Sequence, residues 1–498
     1  MSNLLFDALL GAGARDAPAI EAGGRRLTYA ALALETARWA RTLTALGLKP
    51  GDRLAVQVEK SLENLLLYLG ALRAGAVFLP LNPAYTAAEL AFFVADAEPA
   101  LIVCDPARRE AVAAIAGEAR IETLDASGEG SLADLAAGQT GAFDTVQRLP
   151  EDLAAICYTS GTTGRSKGAM LSHRALVSNA AALKDLWRFS GSDVLINALP
   201  IYHVHGLFVA THISLMAGGS MILQPKFDPD AVLAALPAAT AMMGVPTFYT
   251  RLLANAGLTA AATAHVRLFI SGSAPLPPAV HKAWEARTGQ AILERYGMTE
   301  TGMNASNPYD GPRLAGAVGP PVPGVALRIV DEGSDEPVEE GSVGLVQVRG
   351  PNLFSGYWRN AARTVEAFAE DGWFRTGDLG RRDEAGYLWL VGRSSDLIIS
   401  GGLNVYPAEV EAAIEAAPGV RESAVIGALH ADLGEAVVAV VVAEAPVSED
   451  DILAALQGRL ARFKQPRRIV FVDALPRNAM GKVVKADLRR TYAGLFSA

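Results

Sequence analysis

The stretch Tyr158-Thr-Ser-Gly-Thr-Thr-Gly-Arg-Ser-Lys-Gly168 is the part of this sequence that says most about its fold. Its last ten residues hold five hydroxyl side chains, three glycines and two cations. Glycines let backbone N–H groups approach a ligand closely, hydroxyls donate to phosphate oxygens, and cations add charge. The pattern predicts a phosphate-binding loop, with an ordinary Gly/Ser/Thr turn as the alternative. The residues expected to hold phosphate are Thr159, Ser160, Gly161, Thr162, Thr163, Gly164 and Lys167.

This loop differs from the Walker A loop of P-loop nucleoside triphosphatases in two ways. Gly161 and Gly164 enclose two residues where that loop has four, and Lys167 is followed by glycine where that loop has Ser or Thr. The stretch follows the apolar run Leu153–Cys157 and precedes a helix that we expect Ser172 to cap. The P-loop fold is therefore disfavoured.

Composition and charge exclude several classes of protein. The 498 residues include 44 basic and 53 acidic side chains, and the net charge of −9 argues against a dedicated nucleic-acid binder. Cys104 and Cys157 lie in apolar strand-like runs, and no Cys or His spacing indicates a disulfide framework or a zinc site. Every apolar run is far shorter than the ~20 residues of a membrane-spanning helix. Since no targeting signal is evident either, we expect a soluble cytoplasmic protein with no membrane or nucleic-acid partner.

Short β-rich runs alternate with alanine-rich amphipathic stretches, such as Leu27–Leu46 and Thr86–Asp96, through most of the chain. This alternation predicts an α/β fold with at least partly parallel sheets. The strand candidates are Leu54–Glu59, Val77–Leu81, Leu101–Cys104, Val194–Ala198, Met221–Gln224, Met242–Val245, Val266–Ser271 and Ala291–Arg295.

The pattern changes twice in the last third of the chain. From about residue 311 to 392 it becomes Gly/Pro-punctuated short strands, which predict a small antiparallel β subdomain. Beyond it, a hairpin over Leu397–Val405 and a helix entered at Pro407 begin a compact α+β domain. Residues 461–490 contain nine Lys or Arg and two Asp, a local charge of +7, which indicates either a solvated face or a surface for a polyanionic ligand.

Six motifs in the same chain resemble, in order, those of the adenylate-forming superfamily of acyl-CoA synthetases, peptide-synthetase adenylation domains and luciferases. They are Tyr158–Gly168, Leu199–Gly206, Gly272–Pro275, Glu294–Thr301, Arg375–Asp378 together with Gly392-Arg393, and Pro476–Lys482. Within the superfamily, the stretches around 198–210, 244–252 and 296–311 look most like malonyl-CoA synthetases.

The resemblance implies a fold and a reaction. The expected fold is α/β, with a large N-terminal domain (1–394) of two α/β sheet subdomains plus the small β subdomain, and a small mobile α+β C-terminal domain (395–498) that carries Lys482. The expected chemistry has two half-reactions: a carboxylate attacks the α-phosphorus of ATP to give acyl-AMP and diphosphate, and CoA then displaces AMP. ATP, Mg²⁺ and CoA are the implied cofactor and co-substrates.

The resemblance also implies roles for single residues. Lys482 would be the catalytic cation of adenylation, because an ammonium suits a point charge between carboxylate and α-phosphate. Glu300 would bind Mg²⁺ with the substrate phosphates, and Thr299 would donate to phosphate. The other nucleotide-binding residues implied are Ser273, Ala274, Pro275, Glu294, Arg295, Tyr296, Gly297, Met298, Asp378 and Arg393.

Four residues are candidates for binding the acid. By resemblance His203 lines the acyl pocket, and His205 could donate to a distal carboxylate; in a strand the two would share one face, although no third metal ligand accompanies them. Arg251 follows Pro246 in an apolar stretch, so a dicarboxylate such as malonate would explain an inward guanidinium, with Ser271 or Ser273 adding a hydroxyl. Solvent exposure of Arg251, or a structural ion pair, is the alternative.

The second half-reaction is expected to use another set of residues. Superfamily members rotate the C-terminal domain about one hinge residue, which aligns with Ser395, although Asp or Lys is common at that place. Gly401 and Gly402 would then face the pantetheine channel, and Arg462 and Lys464 would bind the CoA phosphates. Acetylation of Lys482 by a lysine acetyltransferase would remove its charge and stop adenylation.

Three other functions stay open on sequence grounds. The first is a CoA ligase for another small acid, such as methylmalonate, succinate or acetate. The second is an adenylation module that loads a carrier protein. The third is a non-catalytic nucleotide-binding regulator, against which the presence of Lys482, Glu300 and Asp378 argues.

Overall fold

The computed structural model describes residues 3–159, 166–430, 432–457, 459–478 and 481–496. The chain divides into two compact units: Met1–Leu327 with Val348–Phe374, and Arg328–Gln347 with Arg375–Ala498. The domain boundary predicted at 394/395 falls inside the second unit and stays a prediction.

The first unit contains two sheets. Its strands are β1 (Pro18–Ala22), β2 (Arg25–Thr28), β3 (Arg53–Gln57), β4 (Val77–Pro80), β5 (Leu101–Cys104), β6 (Arg120–Thr123), β7 (Leu153–Thr159), β8 (Lys167–Ser172), β9 (Val194–Asn197), β10 (Ser220–Leu223), β11 (Ala241–Gly244), β12 (Leu268–Ser271), β13 (Leu293–Met298) and β14 (Gly302–Ser306). One sheet has the order β6-β5-β3-β4-β7-β8 and the other the order β14-β13-β12-β11-β9-β10-β1-β2. Strands pair in parallel except β8, β2 and β14, each of which is antiparallel to its neighbour.

Helices connect these strands, as parallel pairing requires. They are α1 (Leu4–Leu10), α2 (Tyr29–Ala45), α3 (Leu62–Arg73), α4 (Ala87–Ala97), α5 (Arg109–Ala113), α6 (Ser131–Ala137), α7 (His173–Leu186), α8 (His212–Met216), α9 (Pro229–Ala235), α10 (Pro246–Leu253), α11 (Ala260–Thr263), α12 (Pro278–Thr288) and α13 (Ala361–Glu366). Against the eight-stranded sheet, the buried Trp284 ring of α12 packs edge-on against Tyr249 and Phe269, with centroids 5.0 and 4.8 Å away. Each such side chain contributes about 2–3 kcal/mol by burial.

The second unit contains the remaining sheets. The strands that lie wholly or mainly in it are β15 (Ala326–Val330), β16 (Gly344–Arg349), β17 (Phe374–Arg382), β18 (Leu388–Arg393), β19 (Ile398–Ser400), β20 (Leu403–Val405), β21 (Val420–His430), β22 (Gly434–Ala443) and β23 (Arg468–Phe471). Its helices are α14 (Pro407–Glu415), α15 (Glu449–Leu456) and α16 (Lys485–Thr491). The sheets have the orders β15-β16-β17-β18 and β20-β19-β22-β21, with β23 parallel to β22.

The predicted α/β class is confirmed by these parallel sheets with connecting helices. The strand predicted at Leu101–Cys104 has those bounds, and the helix predicted at Thr86–Asp96 is α4, for which Thr86 forms a capping box with Glu89. The hairpin before Pro407 is present as β19–β20, and the region predicted as a small β subdomain contains β15–β18, of which β17 and β18 pair antiparallel; its status as a subdomain stays a prediction.

Candidate active site

Three of the sequence motifs, and the stretch that contains Arg251, lie at one edge of the eight-stranded sheet. β9, β11, β12 and β13 are parallel neighbours, so their carboxyl ends meet at the same edge. The segments 199–206, 245–251 and 272–275 each begin directly or one residue after such an end, and 296–301 completes and follows β13. Ligands of α/β folds bind outside the carboxyl ends of the strands, so this edge is the candidate site.

The predicted phosphate loop connects the antiparallel hairpin β7–β8 of the other sheet. Thr159 pairs with Lys167, which fixes both ends of the loop. The predicted phosphate residues Ser160, Gly161, Thr162, Thr163 and Gly164 lie outside the described residues. A strand, β8, separates the loop from the expected helix, and Ser172 caps that helix as predicted, accepting the Ala175 N–H at 3.1 Å.

Glu300 lies close to the end of this loop through an aromatic residue. The Tyr357 hydroxyl donates to Glu300 Oε1 at 3.0 Å, and the Lys167 ammonium lies 5.1 Å from the Tyr357 ring centroid. Glu300 is buried, and its carbonyl accepts the Phe354 N–H at 2.7 Å. Sequence reasoning missed Tyr357, since an aromatic residue in the stretch Phe354-Ser-Gly-Tyr-Trp is more often a core residue.

The donor set around Glu300 fits Mg²⁺ bound mainly by substrate. Magnesium in nucleotide sites is held by one or two carboxylates together with phosphate oxygens and water. Within the described residues no group of three or more His, Cys, Asp or Glu side chains could hold a metal ion by itself. One carboxylate held by a tyrosine hydroxyl is therefore compatible with a metal that arrives with ATP.

His203 and His205 lie outside a strand, so the shared strand face considered for them does not apply. β9 ends at Asn197, and the segment His205–Thr211 is a π-helix. The His205 N–H donates to His203 Nδ1 at 3.3 Å, and His205 Nδ1 lies 3.2 Å from Ser273 Oγ. Burial lowers the pKa of His205 well below its usual value, with help from Arg295 and His203, so its ring is neutral.

Arg295 is a buried cation beside this histidine. It is 4% exposed, and among the residues that the structure describes its Nε and Nη2 have no hydrogen-bond partner. Burial lowers its pKa to about 9, so it is still charged at neutral pH. On the adjacent strand Ser271 is 1% exposed, and its Oγ too has no partner in the described part of the chain. The resemblance assigns Arg295 to the nucleotide, whereas in the structure Arg295 lies close to His205 and on the strand next to Ser271, both of which are predicted acid-binding residues.

Arg251 is exposed, so the expectation that its guanidinium points into an apolar pocket is wrong. α10 buries Pro246, Tyr249 and Leu252. At 100° per residue, Arg251 lies roughly 160° from the centre of that face. A contact between Arg251 and substrate stays a prediction.

The nucleotide motifs on β12 and β13 show tight backbone packing. A side chain at Gly297 would place Cβ 2.1 Å from the Gly302 carbonyl oxygen, so the bulge after Tyr296 requires glycine there. Ser273 has a left-handed φ of +71°. The Glu294 carboxyl is buried, which raises its pKa to about 8, and Oε1 accepts the Gly316 N–H at 3.0 Å. Ala274 and Pro275 follow β12, Met298 ends β13 and Thr299 follows it, and their nucleotide contacts stay predictions.

In the second unit, Asp378 and Arg393 pair across β17 and β18. Arg393 Nε lies 3.0 Å from Asp378 Oδ1, and Asp378 is buried. Ser395, the predicted hinge, lies in the 3₁₀ turn Ser394–Asp396 between two strands. Gly401 and Gly402 form the turn of the β19–β20 hairpin with φ of +58° and +76°, which explains both glycines structurally. A role in CoA binding stays a prediction for them.

Lys482 is exposed at the end of a short turn. The Lys482 N–H donates to Asn478 Oδ1 at 3.0 Å, the Asn478 N–H donates back to the Lys482 carbonyl at 2.9 Å, and Gly481 has a φ of +74°. Within the Pro-Arg-Asn-x-x-Gly-Lys motif, the hydrogen bonds between Asn478 and Lys482 therefore hold the lysine at the surface.

The basic segment 461–490 is more neutralised than its sequence indicates. Lys464 Nζ binds both oxygens of Glu409 at 2.7 Å, while Arg462 is exposed. Further ion pairs join this segment to acidic residues outside it: Arg477–Glu422, Lys485–Glu411 and Arg489–Asp396. The local +7 therefore overstates the charge available to a ligand, and Arg462 is a stronger candidate than Lys464.

No helix among the described residues is both long and apolar enough to cross a membrane.

Comparison with known proteins agrees with the motif analysis. The family model for AMP-binding enzymes matches residues 10–358, and the model for their C-terminal domain matches residues 409–482. The indoleacetate–CoA ligase of Aromatoleum aromaticum is 38% identical over 483 residues, 94% of each chain. The malonate–CoA ligase of Arabidopsis thaliana is 34% identical over 478 residues, 89% of this chain and 78% of that protein. The crystal structure of ATP-bound MatB from Rhodopseudomonas palustris is 55% identical, covers 100% of both chains and has a TM-score of 0.98.

Proposed function

The chain belongs to the AMP-binding enzyme family, and since its curated relatives include CoA ligases we propose that it is an AMP-forming malonyl-CoA synthetase. In this reaction malonate and ATP give malonyl-AMP and diphosphate, and CoA then gives malonyl-CoA and AMP. Membership of the family fixes the adenylate-forming chemistry. The acid must be argued from the site.

The observation that carries the choice of acid is the buried guanidinium of Arg295. Burying a charge costs several kcal/mol unless it is paired, and two N–H donors of Arg295 lack partners in the described part of the chain. A dicarboxylate can supply the missing anion, because a carboxylate accepts two parallel bonds from a guanidinium. The second carboxylate then remains for adenylation. Acetate or a fatty acid would leave Arg295 unpaired.

Ser271 and His205 support a small polar acid at the same place. The Ser271 hydroxyl is buried and unsatisfied within the described residues, and the neutral His205 ring has an unsatisfied buried Nε2 there. The Ser271 hydroxyl can donate a hydrogen bond to a carboxylate oxygen, and so can His205 Nε2 in the tautomer that has its proton there. An aromatic acid such as indoleacetate would instead need an apolar pocket, so identity to the indoleacetate–CoA ligase does not determine the substrate.

The roles of the other site residues are assigned from the charges that meet during adenylation. Adenylation brings an anionic acid to an anionic triphosphate, so the protein must supply cations and alignment. We assign this task to Lys167 and Lys482, and the binding of Mg²⁺, which neutralises phosphate charge when bound, to Glu300 positioned by Tyr357. Asp378 and Arg393 are assigned to the ribose, and Ser395 to the hinge between half-reactions.

The test is acid-dependent diphosphate release with malonate, methylmalonate, succinate, acetate, octanoate and indoleacetate. We expect malonate to be turned over, and Arg295→Met to lower kcat/KM for malonate about 100-fold, since bonds to a charged group contribute about 1.5–3 kcal/mol. Arg313→Met is the matched control, because that guanidinium is satisfied by the carbonyl oxygens of Ala291 and Tyr309. Wild-type turnover of acetate or indoleacetate without malonate would refute the substrate assignment and leave the family chemistry intact.

A further inference from the structure

Lys60 is a buried lysine whose hydrogen bonds all point to one stretch of backbone. It lies just before Ser61, the N-cap of α3, and is 6% exposed. Its Nζ donates to the carbonyl oxygens of Asn197 and Leu199 at 2.7 and 2.8 Å, and to Asn197 Oδ1 at 3.3 Å. Burial alone lowers the pKa of Lys60 well below its usual value, and among the described residues no carboxylate raises it. Three donors on one nitrogen meet three acceptors, which is how a buried ammonium is satisfied without an anion.

These acceptors lie where the chain leaves β9 and enters the acyl-pocket motif. Lys60 comes from the segment between β3 and α3 in the other sheet region of the first unit, so it joins that region to the end of β9. The Asn197 side chain extends the contact: its Oδ1 accepts the Leu199 N–H at 3.2 Å, and its Nδ2 donates to the Gly206 carbonyl at 3.2 Å.

The Gly206 carbonyl belongs to the π-helix that begins at His205. This carbonyl also accepts the Thr211 hydroxyl at 3.0 Å. A side chain at Gly206 would lie 2.3 Å from the Pro200 carbonyl oxygen, so the loop closes tightly on itself. π-Helical turns are rare and concentrate at functional sites. Here the turn starts with the residue whose Nδ1 contacts Ser273.

We propose that Lys60 is a positioning residue for the acid-binding pocket: its ammonium fixes the carboxyl end of β9 and, through Asn197, the π-helix that holds His205. The inference rests on the proposed function, because that proposal makes His205 part of the pocket. Lys60 does not touch the acid and acts through the backbone. Its loss therefore changes how the acid is bound and leaves ATP binding unchanged.

The test compares Lys60→Met and Lys60→Gln with the wild type by steady-state diphosphate release. Methionine has a similar length without donors, whereas glutamine retains two donors without charge. We expect Lys60→Met to raise KM for the acid at least tenfold with KM for ATP within twofold, and Lys60→Gln to recover part of the loss. The proposal would be overturned if Lys60→Met and the wild type had equal KM for the acid. It would also be overturned if Lys60→Met raised KM for the acid and KM for ATP in parallel.

Arg73→Met is the matched control. Arg73 also satisfies backbone of the first unit, donating to the carbonyl oxygens of Ala33 and Phe143 at 2.7 and 2.9 Å and to the Thr145 hydroxyl at 3.0 Å, away from the site motifs. The Arg73→Met variant should have a lower thermal stability than the wild type and an unchanged KM for the acid. If it raises that KM as much as Lys60→Met does, the effect is general destabilisation and the proposal fails.

A double-mutant cycle with Asn197→Ala completes the test. Because Lys60 acts partly through Asn197, the two changes together should raise KM for the acid by less than the product of their separate effects. Multiplicative effects would refute the shared path, and Asn197→Ala alone provides the acid-specific readout if Lys60→Met does not fold. Absence of malonate turnover in the wild type would refute the proposed function only, and the Lys60 comparison would then be made with the acid that is turned over.

Discussion

Glu294→Gln is expected to remove the contribution that one buried carboxyl makes to the pH dependence of folding stability. The Glu294 carboxyl is 5% exposed and accepts one backbone N–H, from Gly316. Burial raises its pKa from 4.5 to about 8. Between these two values the folded chain keeps the proton and the unfolded chain releases it, so the free energy of unfolding falls as pH rises, by up to about 1.4 kcal/mol per pH unit. From pH 5.5 to 7.5 the wild type should lose about 2–3 kcal/mol through this one group.

Glutamine is the suitable replacement, since its carbonyl oxygen can still accept the Gly316 N–H and it does not ionise. Urea unfolding at several pH values can be followed by tryptophan fluorescence, because Trp187 and Trp284 are both fully buried in the first unit. Glu118→Gln, which changes an exposed carboxyl, is the control and should leave the wild-type slope unchanged. If wild type and Glu294→Gln give parallel curves of unfolding free energy against pH, the carboxyl titrates normally and the burial argument is wrong.

Four further changes test the assigned roles. Tyr357→Phe should lower the rate of diphosphate release about tenfold and raise the Mg²⁺ requirement, because Glu300 loses a donor; an unchanged Mg²⁺ titration would contradict this. Lys482→Ala should abolish acid-dependent diphosphate release and retain thioester formation from supplied malonyl-AMP; loss of both steps would refute a role confined to adenylation. KM for malonate should rise as pH passes through about 9, where Arg295 loses its proton, and a flat profile to pH 10 would contradict this. Arg462→Glu should raise KM for CoA with diphosphate release intact, and equal loss in both half-reactions would contradict it.

Local sequence patterns were sufficient for the fold and for most of the motif positions. Leu101–Cys104 is a continuous apolar run of strand length, and Thr86 with Glu89 is a complete capping box, so neither depends on distant residues. That the motifs after β9, β11 and β12 meet at one edge was not predicted, because it follows from the parallel pairing of these strands and not from any local pattern. The expectation for Arg251 was wrong because tertiary packing decides which face of the eight-residue helix α10 is buried, and that face contains Tyr249 and Leu252 and leaves Arg251 exposed.

The features that sequence could not supply depend on long-range packing. The spacing of His203 and His205 left their local structure open, and the π-helix His205–Thr211, with Asn197 Nδ2 donating to the Gly206 carbonyl, could not be predicted from it. Tyr357 reaches Glu300 across 57 positions of sequence, and Lys60 reaches Asn197 across 137. No local pattern encodes such contacts.

Lys60 and Arg295 are two buried basic residues near one sheet edge, and their hydrogen-bond partners distinguish a structural role from a ligand-binding one. Lys60 finds three acceptors on neighbouring backbone and side chain, so it needs nothing from outside. Arg295 is as deeply buried, yet within the described residues two of its nitrogens have no acceptor. Both cations lose hydration on burial, and the difference in their partners supports our two proposals, that Lys60 positions the pocket and that Arg295 binds the anion of the substrate. A substrate with one carboxylate cannot both satisfy Arg295 and present a nucleophile to ATP, and this requirement favours a dicarboxylate over the other acids of the family.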